Sequence, residues 1–316
     1  MKAKIDNSKI YKSRKEGSFQ RLEASEIIFK VISYTFVGIF ALMCLYPLVY
    51  SLSSAISAYD PVASGKIVLF PMGFQLEAFA SVFEDKYFWA SFCNTFFITF
   101  FGTVYCMIIS IAGGYALAKT ELFGHKFFNF ILIFTMWFAA GTIPMYLNYK
   151  ATGSILQNNL GIADQKWLVV IAMGMNAFNI ILLRNAFQSV PKEIEEAAII
   201  DGATDFQIMS KISVPMSKAT IATVGLFYGI SRWNGYFWAS KVVDSSLDFP
   251  LQVYIQRTIK GIEEDLALGG SVSVGTFAPQ STVYAMIVCA IIPILIIYPF
   301  IQKYFTAGVN LGGVKE

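Results

Sequence analysis

Six long stretches of this chain contain no Asp, Glu, Lys or Arg, and that pattern constrains the fold more than any other feature. They run approximately over residues 31–54, 89–118, 127–147, 167–183, 219–231 continuing through the aromatic run 233–239, and 282–301. A bilayer core needs about 20 consecutive, mostly apolar residues in a helix. The expectation is six membrane-spanning helices, with lipid as the solvent for much of the surface. Only 14% of the 316 residues are charged, where a soluble domain carries about a quarter. The fourth stretch is short but edged by Lys166 and Arg184. Arg232 interrupts the fifth near one end. No signal-peptide cleavage pattern follows the first stretch, which is expected to stay in the membrane.

Basic residues orient the spans. Eight Lys and Arg precede the first span, and with the segments 119–126, 184–218 and the C-terminal residues that side holds sixteen, against eight on the other. Both termini are therefore expected to be cytoplasmic. Trp89, Trp167, Trp233 and Trp238 fall at the expected outer ends, where amphipathic rings favour the headgroup region, while Trp137 lies mid-span. The resulting plan is a basic tail over 1–30, a six-helix domain over 31–301 with external loops at 55–88, 148–166 and 240–280, and a C-terminal tail over 302–316. A membrane-surface helix around 19–29 and a strand over 251–255 are further expectations.

The chemistry is limited. Cys44, Cys93, Cys106 and Cys289 all lie in apolar stretches and read as packing residues. His125 is the single histidine, which leaves neither metal set nor catalytic base. No phosphate-binding G-x-x-x-x-G-K-[ST] loop occurs. A mid-membrane charge costs about 2.5–3.5 kcal/mol and marks ion pathways where it is kept. The charge-free stretches offer none, and no inverted repeat is visible, which weakens the competing reading of an ion-coupled secondary sugar transporter or channel. A membrane-embedded enzyme would need clustered His, Asp or Cys.

The segment 190–215 carries the sharpest pattern. Pro191 suits the first position of a helix, and Glu193, Glu195 and Glu196 follow at the positive end of its dipole. Gly202 marks its stop. Thr204 and Gln207 have capping-box spacing for a second helix, which Pro215 ends. Ile194, Ala197 and Ala198, with Phe206, Met209 and Ile212, make an apolar face on a helix–turn–helix elbow, which implies a docking partner.

Glu196-Ala197-Ala198, Gly202 and Ile212-Ser213-Val214-Pro215 resemble the EAA loop of binding-protein-dependent ABC importers, departing only at Val214 where Leu is usual. Gly114-Tyr115-Ala116-Leu117-Ala118 resembles the segment that members of this family carry there, and the run Trp233 to Trp238 with Pro250-Leu251-Gln252 is similar to the carbohydrate (MalG-like) subfamily, in its oligosaccharide and polysaccharide branch. The resemblance implies an all-α, type I ABC importer (MetI-like) permease fold. It implies a second, MalF-like permease as partner, two ABC ATPase subunits and an extracellular solute-binding protein. ATP and Mg would sit on the ATPase, with no cofactor on this chain. Carried onto this sequence, Glu195, Glu196, Ala197, Ala198, Gly202, Phe206, Ile212 and Pro215 form the ATPase-coupling surface. Trp233, Asn234, Tyr236, Phe237 and Trp238 are candidates for the oligosaccharide path, with an interfacial aromatic belt as the alternative.

Overall fold

A computed structural model describes residues 24–267 and 278–313. The basic tail up to residue 23, the middle of the last external loop and residues 314–316 lie outside the described residues. The chain divides into two compact units, 1–50 and 51–316. The described part of the first is most of one apolar helix, α1 (Ala24–Ala55), with Pro47 inside it. All described secondary structure is helical.

The second unit begins with α2 (Tyr59–Ala63) and α3 (Glu77–Glu84), and is built around α4 (Lys86–Ala118). At 33 residues α4 is roughly 50 Å long. Between a buried Phe88 and a buried Tyr115, its inner face reads Ser91, Asn94, Thr95, Ile98, Gly102, Cys106, Ser110 and Gly114, all but Ile98 small or polar. Its exposed face carries Phe96, Phe100, Val104 and Ile108. This is the membrane arrangement: lipid accepts the large apolar side chains, and small residues let helices approach. Gly114 shows how close. A Cβ there would lie 2.9 Å from the Leu183 Cβ and 3.2 Å from the Arg184 backbone nitrogen.

The third and fourth expected spans are each broken. α5 (His125–Trp137) and α6 (Thr142–Leu160) meet at 115°, across Gly141 at φ +89°. α6 thus occupies most of the expected loop 148–166. α7 (Gln165–Ala172) and α8 (Ala177–Gln188) meet at 53°. The elbow follows as α9 (Lys192–Ile200), α10 (Asp205–Ile208), a π-turn over Met209–Ser213 and α11 (Val214–Met216). α12 (Lys218–Trp233), α13 (Ala239–Val242), α14 (Leu251–Ala267) and α15 (Pro279–Gly313) complete the chain. Three helices are long and apolar enough to cross a membrane among the described residues, or five if each bent pair is one span. α12, the expected fifth span, has 16 residues and falls short of that length on its own.

The strand expected at 251–255 is the start of α14 instead. Leu251, Val253 and Ile255 are all buried, and such alternation imitates a strand. In the helix, Leu251 and Ile255 pack on one core with Phe88, Val283 and Met286, while Val253 packs on a second with Ile98, Val169 and Phe249. A third core joins Cys106, Tyr115, Leu183, Phe187, Val224 and Tyr228. α4 contributes to all three. α15 continues to Gly313, through most of the stretch expected as a tail, with Pro293 and Pro299 inside it.

Candidate functional site

The elbow is assembled from local signals. Pro191 is the residue flanking α9 rather than its first, one position earlier than expected. Gly202 sits at φ +81°, in the left-handed region where glycine carries no steric cost. There the Gly202 N–H donates to the Ile199 carbonyl (3.0 Å) and the Ala203 N–H to the Ala198 carbonyl (2.9 Å). These bonds satisfy carbonyls that the helix end leaves free. Both halves of the capping box form: the Thr204 N–H donates to Gln207 Oε1 (2.9 Å) and the Gln207 N–H to Thr204 Oγ1 (3.4 Å). Pro215 lies one residue inside α11, so the second arm runs on through it and breaks only at Ser217.

The arms present an open apolar surface. No residue of α9 is buried. Ile194, Ile199, Ile200 and Phe206 are exposed, Ile200 at 86% and Phe206 at 71%. Glu196, Ala197 and Gly202 are exposed with them, and a Cβ on Gly202 would meet nothing within 4 Å. Ala198 and Ile212 are half-buried. Met209, expected on the outer face, packs inward on the third core, and Ile208 is buried. The second arm therefore has its own root in the molecule.

Glu195 faces inward. Its Oε2 lies 2.5 Å from Lys119 Nζ, at the end of α4, and Ser213 Oγ donates to its Oε1 at 3.2 Å. One carboxylate thus ties the first arm, the far end of the second arm and α4 together. Lys119 also lies over the Tyr115 ring, 4.9 Å from its centroid. Burial lowers the Lys119 pKa, but the hydrogen bond to Glu195 and the Tyr115 and Glu195 charges outweigh it and hold the group above the ordinary lysine value. A cavity of ≈ 220 Å³ opens beside this strut, lined in part by Phe187, Lys192 and Glu196.

The aromatic run is split by the fold. Trp233 is buried, edge-on to Phe96 (5.0 Å) and Phe92 (6.1 Å). Trp238 packs edge-on to Tyr149 (4.9 Å) and, with Tyr236, belongs to the second core. Asn234 and Phe237 are exposed, and Asn234 Nδ2 donates to the Ile230 carbonyl (3.1 Å). The five residues do not converge on one surface.

A second constellation escaped the sequence reading, which placed Arg232 at a span edge. Arg232 is 4% exposed and reaches into the break between α7 and α8. Its Nη1 donates to the Val169 carbonyl (2.9 Å), and its Nη2 to the Gly174 carbonyl (3.0 Å) and Cys106 Sγ (3.1 Å). One turn earlier on α12, Tyr228 Oη accepts from the Asn176 N–H (3.1 Å) and shares a hydrogen bond with Ser110 Oγ (2.7 Å). Backbone groups freed by a helix break inside a membrane need such partners. The signal in the sequence was a lone arginine in an apolar stretch, together with the Met173–Asn176 interruption and its Gly174 at φ +54°. At the elbow end Arg184 Nη1 donates to Asn129 Oδ1, joining α8 to α5.

A family model described as the inner membrane component of binding-protein-dependent transport systems matches residues 21–311. The chain belongs to this family. The polygalacturonan/rhamnogalacturonan transport system permease protein YtcP of Bacillus subtilis is 36% identical over 91% of this chain and 98% of its own. The arabinooligosaccharides transport system permease protein AraQ of Halalkalibacterium halodurans is 27% identical over 90% of this chain and 95% of its own. Among solved structures, a bacterial ABC transporter involved in the import of the acidic polysaccharide alginate has a chain that superposes with a TM-score of 0.79 at 41% identity. That match covers 90% of this chain and 98% of the other. The chain is thus an all-α, membrane-embedded permease whose relatives are sugar and oligosaccharide permeases.

Proposed function

We propose that this chain is one of two permease subunits of an ATP-driven importer that takes up oligosaccharides handed over by an extracellular solute-binding protein. The observation that carries the reading is the elbow: an apolar surface open on the outside and locked to α4 on the inside through Glu195. Glu196, Ala197, Gly202 and Phe206 supply the docking face for a separate ATPase, and ATP and Mg belong to that chain. Both termini and the elbow lie on the cytoplasmic side, with α12 as the fifth of six spans. A MalF-like permease completes the translocation path.

The strut makes the elbow a lever. When two ATPases close on ATP they move the docked arms, and a rigid arm passes the motion to α4 and so to all three cores. A ligand shifts such an equilibrium only through contacts that differ between the two states. Those contacts lie in the ATPase pair, and the permease supplies a bistable element that follows them.

The test is co-purification of this subunit with its permease and ATPase partners, comparing wild type with Gly202→Asp. At φ +81° and with open space beyond, an Asp side chain projects into the docking face. Asp tolerates this backbone better than most residues, so the fold survives. We expect ATPase retention to be lost and the permease pair to stay intact. Unchanged retention sinks the elbow as docking site. A wild type that retains no ATPase moves an ion-coupled transporter to the front.

A further inference from the structure

The break between α7 and α8 opens onto a cavity of ≈ 300 Å³ lined by Asn176, Phe178, Asn179, Ser231 and Arg232, among others. Three independent features make it unlike a packing defect. First, Arg232 is a buried cation whose hydrogen bonds go to two carbonyls and a sulfur, and no carboxylate lies within ion-pair distance of it among the described residues. Second, the cavity receives the N-terminal turn of α8, a helix of 12 residues whose dipole adds positive potential. Third, Asn179 is 5% exposed and lines the cavity, yet its side-chain amide has no hydrogen-bond partner among the described residues. The amide of this otherwise buried residue is open to the cavity, where a bound molecule can supply the partner that the protein does not. The Ser231 hydroxyl, also without a protein partner, stands exposed at the rim.

We propose that this cavity is a subsite for a carboxylated sugar unit on the translocation path. The carboxylate answers the unbalanced charge of Arg232 and the α8 N-terminus. The sugar hydroxyls answer Asn179 and Ser231, and Phe178 offers an apolar face. The volume is at the small end of ligand sites and suits one ring rather than a chain. Helix N-termini commonly hold anionic groups, because their backbone N–H groups and dipole favour negative charge. Arg232 keeps its carbonyl bonds throughout and acts as a fixed positive charge, so the subsite selects by field and not by rearrangement. The proposal rests on the importer reading and adds the chemical class of its cargo.

The experiment uses the complete importer in lipid nanodiscs. Trigalacturonate and trimannuronate are the probes, each compared with its neutral methyl ester by equilibrium dialysis. At least one acid should bind tenfold or more tightly than its ester. Asn179→Asp places a carboxylate in the cavity at the favourable end of α8, and should weaken acid binding at least tenfold while the complex assembles as before. Ser231→Asp, at an exposed position that no packing depends on, should weaken it in the same direction. Equal binding of acid and ester, binding of neither acid, or wild-type binding by both variants overturns the subsite. None of these results touches ATPase docking, which Gly202→Asp tests separately.

Discussion

Arg232 and Gly102 form a matched pair. A Cβ on Gly102 would lie 3.1 Å from the Arg232 Nε and 3.2 Å from its Cδ, so an alanine there would press the arginine stem aside by a few tenths of an ångström. Gly102→Ala should therefore destabilise by overpacking, by about 1–3 kcal/mol. Arg232→Met takes the charged donor from the Val169 and Gly174 carbonyls, which keep only the weaker Met173 N–H (3.5 Å) and Cys106 thiol (3.0 Å), at about 1.5–3 kcal/mol for the lost charge-assisted bonding. Part of that loss is returned because no charge is buried any longer. Without the three hydrogen bonds that anchor the guanidinium, the side chain at 232 is free to swing off residue 102 and give an alanine room. The double variant should then be less unstable than the sum of the singles, as thermal unfolding of the reconstituted complex would show. Strict additivity would mean that the two side chains do not share the space. The sequence revealed Arg232 only as a flaw in an apolar run, because its partners Val169 and Gly174 are 63 and 58 residues away. No local pattern reports a bond of that span.

Among the elements, the elbow was the most readable. Its stop at Gly202 and its capping box are formed between residues at most five apart, and such devices are written in the local sequence. What it leans on was not readable, since Lys119 and Glu195 are 76 residues apart. A partly buried ion pair of this kind is worth about 1 kcal/mol, so Lys119→Met should leave the protein folded and the ATPase bound. Coupling should suffer instead: substrate-stimulated ATP hydrolysis and uptake should fall several-fold, and Lys119→Glu combined with Glu195→Lys should restore part of the loss. Unimpaired uptake in Lys119→Met would remove the strut from the mechanism. Because the folded-state pKa of Lys119 is raised, the strut's contribution is fully present below the ordinary lysine value of about 10.4. It disappears only as pH rises through the still higher folded value. Lys119 deprotonation should therefore add no slope to coupling measured between pH 6 and 9. The breaks in the expected third and fourth spans were hidden for another reason: apolar content is the same on both sides of a bend, and only Gly141 and Gly174 hint at the turn.

Across the whole molecule, polarity is distributed inside out relative to a soluble protein. Arg232, Asn179 and Ser110 are buried, while Phe100 and Ile108 on α4 are 64% exposed. Composition made this solvent choice plain from the start, although it could not say which face of α4 would turn inward. The same rule predicts opposite tolerances for one kind of charge. Phe100→Lys should lower the membrane-integrated fraction of the chain, at about 2.5–3.5 kcal/mol for a lysine at mid-bilayer, whereas Phe100→Leu should not. Alkaline carbonate extraction of membranes separates the two outcomes, and equal integration would place Phe100 against protein instead of lipid. The bonds from Arg232 into the fourth span also have a consequence in time. A ribosome adding about 5–20 residues per second delivers Arg232 roughly 3–12 s after Gly174. During that interval the nascent α7–α8 break lacks the guanidinium, and its Gly174 and Val169 carbonyls have only the Cys106 thiol and the Met173 N–H. Release of the α7–α8 segment into bare lipid is therefore expected to be delayed until α12 has been made.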